Sequence, residues 1–167
     1  MRVYLPATVT MLEELAASEV ISARSGWGFA VTGDLREFYT AGDEEELADI
    51  AFTDAARASL RLLAIGDDRF PARRVVLSVD LPDEQVTPRP DLGLTVVGLD
   101  PAQVAEQQVK AIHVDTADNE EATAAAIAVI DAADLGDEDA EIAVGNADDN
   151  LMAWYDPSEL GVLVQLL

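Results

Sequence analysis

The chain has a single histidine, His113, the one side chain whose ordinary pKa lies near neutrality. Two residues further on stands Asp115. On a β-strand that spacing puts both side chains on one face, and a neighbouring strand in matching register would add Asp80. An imidazole beside two carboxylates is suited to acid–base chemistry, or to holding a divalent cation weakly. The plainer expectation is a solvent-facing or hydrogen-bonded structural histidine, because 33 of the 167 residues are acidic and chance proximity is common.

A second pattern joins Arg57 and Arg61, four residues apart on a helical stripe shared with Asp54. Two guanidinium groups on a rigid helix can grip a carboxylate or phosphate bidentately. With ten cations against 33 anions, internal salt bridges are the stronger expectation for them. Tyr4, Tyr155, Trp27 and Trp154 are scarce aromatics, three of them at expected strand ends. Exposed, they would anchor a ligand or partner; buried, they are core. The acidic run 131–149 contains Asp137-x-Asp139, but no twelve-residue loop with a central glycine and a closing glutamate follows, so a solvated helix face is expected there.

Several chemistries are excluded. Without cysteine there are no disulfides, thiolate metal sites or cysteine nucleophiles. One histidine rules out a multi-histidine metal site within one chain, and a Ser–His–Asp triad has only His113 to draw on. Residues 93–98 lack the spacing and lysine of a phosphate loop, and neither G-x-S-x-G nor H-E-x-x-H occurs. No cofactor or metal is therefore expected. No apolar run approaches a membrane span, and Pro6, Thr8, Glu13 and Glu14 interrupt any signal-like start, so a cytoplasmic protein is expected. A net charge of −23 repels phosphate backbones and argues against direct nucleic-acid binding.

The charge is uneven. Residues 1–110 hold 19 acids and all ten bases, or −9; residues 111–167 hold 14 acids and neither lysine nor arginine, or −14. Such asymmetry can mark an interaction surface. Hydrophobic content of 50% argues against disorder, and no linker divides the chain, so residues 1–167 are read as a single domain.

The elements that must position these residues follow from periodicity. Residues 2–5 read as a strand; Thr10 with Glu13 has capping-box spacing and opens a helix through Leu15 and Val20. Residues 27–31 read as a strand, and Thr32 opens a short helix stopped by Gly42. The strongest signal is a long central helix over 43–65, with an Asp43/Glu46 capping box, an apolar stripe through Leu47, Ala51, Ala55, Leu62 and Ile65, and Gly66 at its end. Strands follow at 74–81, 92–99 and 109–114, with a helical segment at 101–107 started by Pro101. Helices at 118–134 and 137–147, a strand at 151–155 and a helical turn from Pro157 complete the chain. The expected class is α/β (α+β), a mixed sheet of about five to six strands covered by helices. Two six-residue echoes, 3–8 with 154–159 and 79–83 with 114–118, are too short to establish duplication and read as recurrent strand-to-helix turns.

The opening Met1-Arg2-Val3-Tyr4-Leu5-Pro6-Ala7-Thr8, the stretch Asp54-Ala55-Ala56-Arg57-Ala58-Ser59-Leu60-Arg61-Leu62-Leu63, the strand Arg73-Arg74-Val75-Val76 and the closing Trp154-Tyr155-Asp156-Pro157-Ser158-Glu159-Leu160 resemble a family of uncharacterised actinobacterial proteins of this length. The resemblance implies an intracellular bacterial protein and carries no activity, cofactor or site residue with it.

Function is left between classes. The leading expectation is a small acidic protein acting by binding, its acidic last third meeting a basic protein partner, with mimicry of nucleic acid as one version. The alternative is a small-molecule-binding or hydrolytic domain that gathers His113, Asp115, Arg57 and Arg61 around one cleft. A third is acidity that serves solubility alone.

Overall fold

The computed structural model describes residues 1–66 and 70–167. Nine strands and six helices succeed one another along them: β1 (Arg2–Ala7), α1 (Val9–Ser18), β2 (Val20–Ser22), β3 (Trp27–Phe29), α2 (Gly33–Phe38), α3 (Glu44–Ile65), β4 (Val75–Asp80), β5 (Val86–Pro88), β6 (Val96–Leu99), β7 (Gln103–Ala105), β8 (Val109–Val114), α4 (Glu120–Asp134), α5 (Glu138–Asp148), β9 (Ala153–Tyr155) and α6 (Leu160–Leu166). Seven strands form one sheet in the order β5-β6-β3-β1-β4-β8-β9, and β2 pairs with β7 in a small second sheet. The α+β class and helical cover stand as expected. The main sheet is larger than five to six strands, and its pairings are antiparallel where a mixed sheet was expected.

The central strands β1, β4 and β8 bury both faces, as their runs of valine and leucine allow. Val3, Leu5, Val75, Leu77, Val79, Ile112 and Val114 meet Leu12, Leu15, Leu160 and Leu163 from α1 and α6 in the principal core. On the other face α3 lies across the sheet. Its buried Ala51, Ala55, Ala56 and Ser59 are small, which lets the helix approach closely. The Ser59 hydroxyl donates to the Ala7 carbonyl (2.7 Å) and accepts from the Val75 amide (3.0 Å), tying α3 to the ends of β1 and β4. On its far side α3 carries the α4–α5 hairpin through Leu60, Ala126, Ile130, Ala133, Ala140, Val144 and Ala147.

The long helix begins as expected. Asp43 accepts from the Glu46 amide (2.8 Å), the Glu46 side chain accepts from the Asp43 amide (3.3 Å), and Glu44, Glu45 and Glu46 occupy the first turn, where the helix dipole favours acids. Its stripe runs out earlier than expected, and Ile65 is 79% exposed.

Four local expectations are corrected. Thr8, not Thr10, caps α1: the Thr8 hydroxyl accepts from the Met11 amide at 3.3 Å. Glu19, with φ of 62°, turns the chain out of the helix, so Val20 belongs to β2 rather than to the α1 stripe. Residues 101–107 do not form a helix; Gln103–Ala105 pairs with Val20–Ser22, and Val104 is fully buried beside Ile21 in the principal core. The expected strand over 92–99 is confined to Val96–Leu99. No helix among the described residues is long and apolar enough to cross a membrane.

Candidate functional site

The side chains singled out in the sequence are distributed over three places. His113 sits on β8, opposite Val76 of β4 and Trp154 of β9. Its side chain lies on the sheet face that α3 only partly covers. Its Nε2 is 3.0 Å from the Ser78 hydroxyl, and its ring meets Phe52 of α3 edge to face at 4.8 Å. Phe52 in turn meets Tyr4 edge to face at 5.7 Å. These rings, with Arg2, Ala48, Asp49, Ala111 and Trp154, line a cleft of about 360 Å³. Burial lowers the His113 pKa to about 4, with the Arg2 charge acting in the same direction, so the imidazole is neutral at pH 7.

Asp80 is not a partner of His113. Register puts Asp80 opposite Arg2, whose guanidinium holds it at 2.6 and 3.3 Å and keeps its carboxyl below the usual range. Asp115 is fully committed elsewhere. Its two oxygens accept from the Arg74 amide, Nε and Nη2, the Asn119 amide and the Thr123 hydroxyl, all at 2.7–3.1 Å. The Arg74 and Asp115 side chains are 2% and 0% exposed. Asp115 is thus an anchor that fixes the start of β4 to the segment leading into α4.

Arg57 and Arg61 form the third group. Arg57 contacts Asp148 at 2.8 Å and Glu141 at 3.7 Å, both on α5. Arg61 holds Asp134 of α4 through two bonds of 2.8 Å, which lowers the Asp134 pKa. Arg73 adds Glu120 at 2.7 Å. Four arginines between 57 and 74 therefore supply cations to five acids of the last third. Tyr4 and Tyr155 also part company. Tyr4 lines the cleft, and burial raises its pKa. Tyr155, opposite Ile112, packs against the principal core on the other face, and its neighbour Trp154, 60% exposed, takes the place at the cleft.

Sequence reasoning missed Ser78, Phe52 and Asp49. Ser78 and His113 are brought together only by the β4–β8 register, and Phe52 lies off the apolar stripe by which α3 was recognised. Asp49 is exposed, and no hydrogen bond or ion pair engages its carboxylate among the described residues. The Ser78–His113 pair has the spacing of a nucleophile and base. Ser78, however, sits within a paired strand between β1 and β8, where ladder bonding occupies the backbone amides that an oxyanion site would need.

No curated protein and no solved structure matches the chain. Residues 1–164 match the model of a family described as a family of unknown function (DUF6912).

Proposed function

Because the chain belongs to this family of unknown function, we propose a function from its surface: a binding protein whose α4–α5 face docks a basic protein partner. One observation carries the reading. Among the described residues, the arginines that reach the last third pair with Asp115, Glu120, Asp134, Glu141 and Asp148, while Glu121, Asp131, Glu138, Asp139 and Asp149 are exposed and unpaired. Between them stand the exposed apolar side chains Leu135 (90%) and Ile142 (63%). Acids around an exposed apolar pair suit a basic partner with an apolar anchor, whose association weakens with salt. In the same reading the partner is a protein rather than a nucleic acid, since a phosphate backbone is repelled. The nine arginines to one lysine, with abundant alanine and aspartate, fit a GC-rich genome, in keeping with the actinobacterial source that the resemblance implies.

The test is capture of partners at low and high salt by the wild type and by the variant D131N/E138Q/D139N. A basic protein retained at low salt, released at high salt and lost with the variant is the expected result. Capture of no basic protein, or capture indifferent to the variant, overturns the reading.

A second reading, hydrolysis at the cleft, rests on the 3.0 Å Ser78–His113 contact. Labelling by a serine-directed fluorophosphonate that disappears in Ser78→Ala would favour it; an unlabelled wild type removes it.

A further inference from the structure

The cleft of about 360 Å³ beside His113 is built from side chains that share one face of the sheet. Tyr4 stands opposite Ser78, Ser78 opposite Ala111, and His113 opposite Trp154, and directly opposed residues project to the same side. Ser78 and Ala111 are small and buried, which makes them the floor. The rings of Tyr4, Phe52, His113 and Trp154 stand around them. The Ser78–His113 contact decides which ring nitrogen carries the proton. Ser78 is buried, and its hydroxyl has no other hydrogen-bond partner among the described residues. A buried donor without an acceptor is costly, so the hydroxyl donates to Nε2 and the neutral imidazole keeps its proton on Nδ1. Nδ1 makes no hydrogen bond among the described residues and is not sealed from solvent, so its N–H opens onto the cleft. The Asp49 carboxylate at the rim is unpaired as well.

We propose that this cleft binds an uncharged, planar heteroaromatic ring of the nucleobase kind. The flat face of the ring stacks on Trp154, which is 60% exposed. A ring carbonyl or aza nitrogen accepts from His113 Nδ1–H, and ring N–H groups donate to Asp49. The chemistry selects this class on three grounds. Stacking on aromatic side chains holds any base by its π face. A nucleobase edge carries acceptors beside N–H donors, which matches what the cleft leaves unpaired. A hydrocarbon ring would cover His113 Nδ1–H without giving it an acceptor. Phosphate is disfavoured, because Arg2 is held by Asp80, His113 is neutral at pH 7, and the unpaired charge at the cleft is that of Asp49. The volume, at the small end for ligand pockets, suits one ring system rather than several. Hydrolysis would use the same cleft, but ring binding needs no nucleophile. Labelling of Ser78 and binding of a ring are separate measurements, and either can fail alone. Neither depends on the outer face of α4 and α5.

The indole N–H of Trp154, identified by its loss in Trp154→Phe, reports on the site by NMR. Titration with inosine should shift it saturably and leave Trp27 unmoved, while ribose and benzyl alcohol should not. Inosine 5′-monophosphate should bind more weakly than inosine. His113→Gln keeps a polar group toward Ser78 and loses the Nδ1 donor, whereas His113→Asn keeps an amide nitrogen at the Nδ1 position. Inosine affinity should fall about two- to tenfold in His113→Gln and by less in His113→Asn. The wild-type titrations decide by themselves if either variant fails to fold. No saturable shift with inosine, or an equal shift with ribose or benzyl alcohol, overturns the site. So does a monophosphate that binds as tightly as the nucleoside, unchanged affinity in His113→Gln, or a loss in His113→Asn as large as in His113→Gln.

Discussion

Arg74 and Asp115 form a bidentate ion pair, at 2.7 and 2.9 Å, in which neither side chain reaches solvent. The carboxylate accepts five hydrogen bonds in all, one of them from the Arg74 backbone. Such a pair fixes geometry more than it adds net stability, but removing one partner leaves a buried charge alone. Arg74→Met and Asp115→Leu should each cost about 3–5 kcal/mol, and the double substitution should recover part of that loss. Urea denaturation checks it; additive losses in the double variant would contradict the pairing.

His113 makes stability depend on pH. Its folded-state pKa of about 4 lies below the ordinary 6.5, so the unfolded chain binds the proton more readily. The folded protein therefore keeps its full stability above about pH 6.5 and loses some as pH falls toward 4, where the ring itself protonates. For a partly buried ring the loss is about 2 kcal/mol after discounting for solvent. His113→Gln should remove this component. The check is the difference between wild-type and variant stability across that window, which separates it from the carboxylates; a constant difference would rule it out.

Gly28 on β3 lies against β1. A Cβ there would stand 2.6 Å from Val3 Cγ1, a distance that side chains do not tolerate. Val3 is fully buried and has little room to give. Gly28→Ala should therefore cost about 1–3 kcal/mol, the usual cost of overpacking, although alanine is otherwise better suited than glycine to a strand. Thermal unfolding decides it; an unchanged or raised midpoint would contradict the contact.

The two helix-layer salt bridges should differ. Arg61 and Asp134 are 42% and 36% exposed, and their coupling should be about 0.2–1 kcal/mol. Asp148 is only 13% exposed, so its coupling with Arg57 should exceed that. Double-mutant cycles in low salt compare them directly, and equal couplings would show that burial has no bearing here.

What was readable in the sequence was local. The Asp43/Glu46 capping box and alanine-lined stripe located α3 because a helix is specified by residues three and four apart. The valine runs located β4 and β8 because both faces are buried. What was missed depended on distant partners. Gln103–Ala105 has one buried apolar residue, Val104, and becomes a strand only because Val20–Ser22 lies beside it, 83 residues earlier in the chain. The site followed the same rule. A spacing of two put His113 and Asp115 on one face in principle, yet Asp115 stands just beyond β8 and is captured by Arg74. The residues that share the cleft with His113 come from β1, α3, β4 and β9, and only the sheet order brings them together.

The arginines of 57–74 that pair with acids of the last third precede those acids in the chain. During synthesis they leave the ribosome first, so each of these acids emerges to a counterion already made. The dependence runs one way. A fragment ending before residue 111 keeps both signs of charge, whereas one beginning there carries −14 with no Lys or Arg, the composition of a self-repelling chain. The last third thus takes its counterions from the part of the chain that was translated before it.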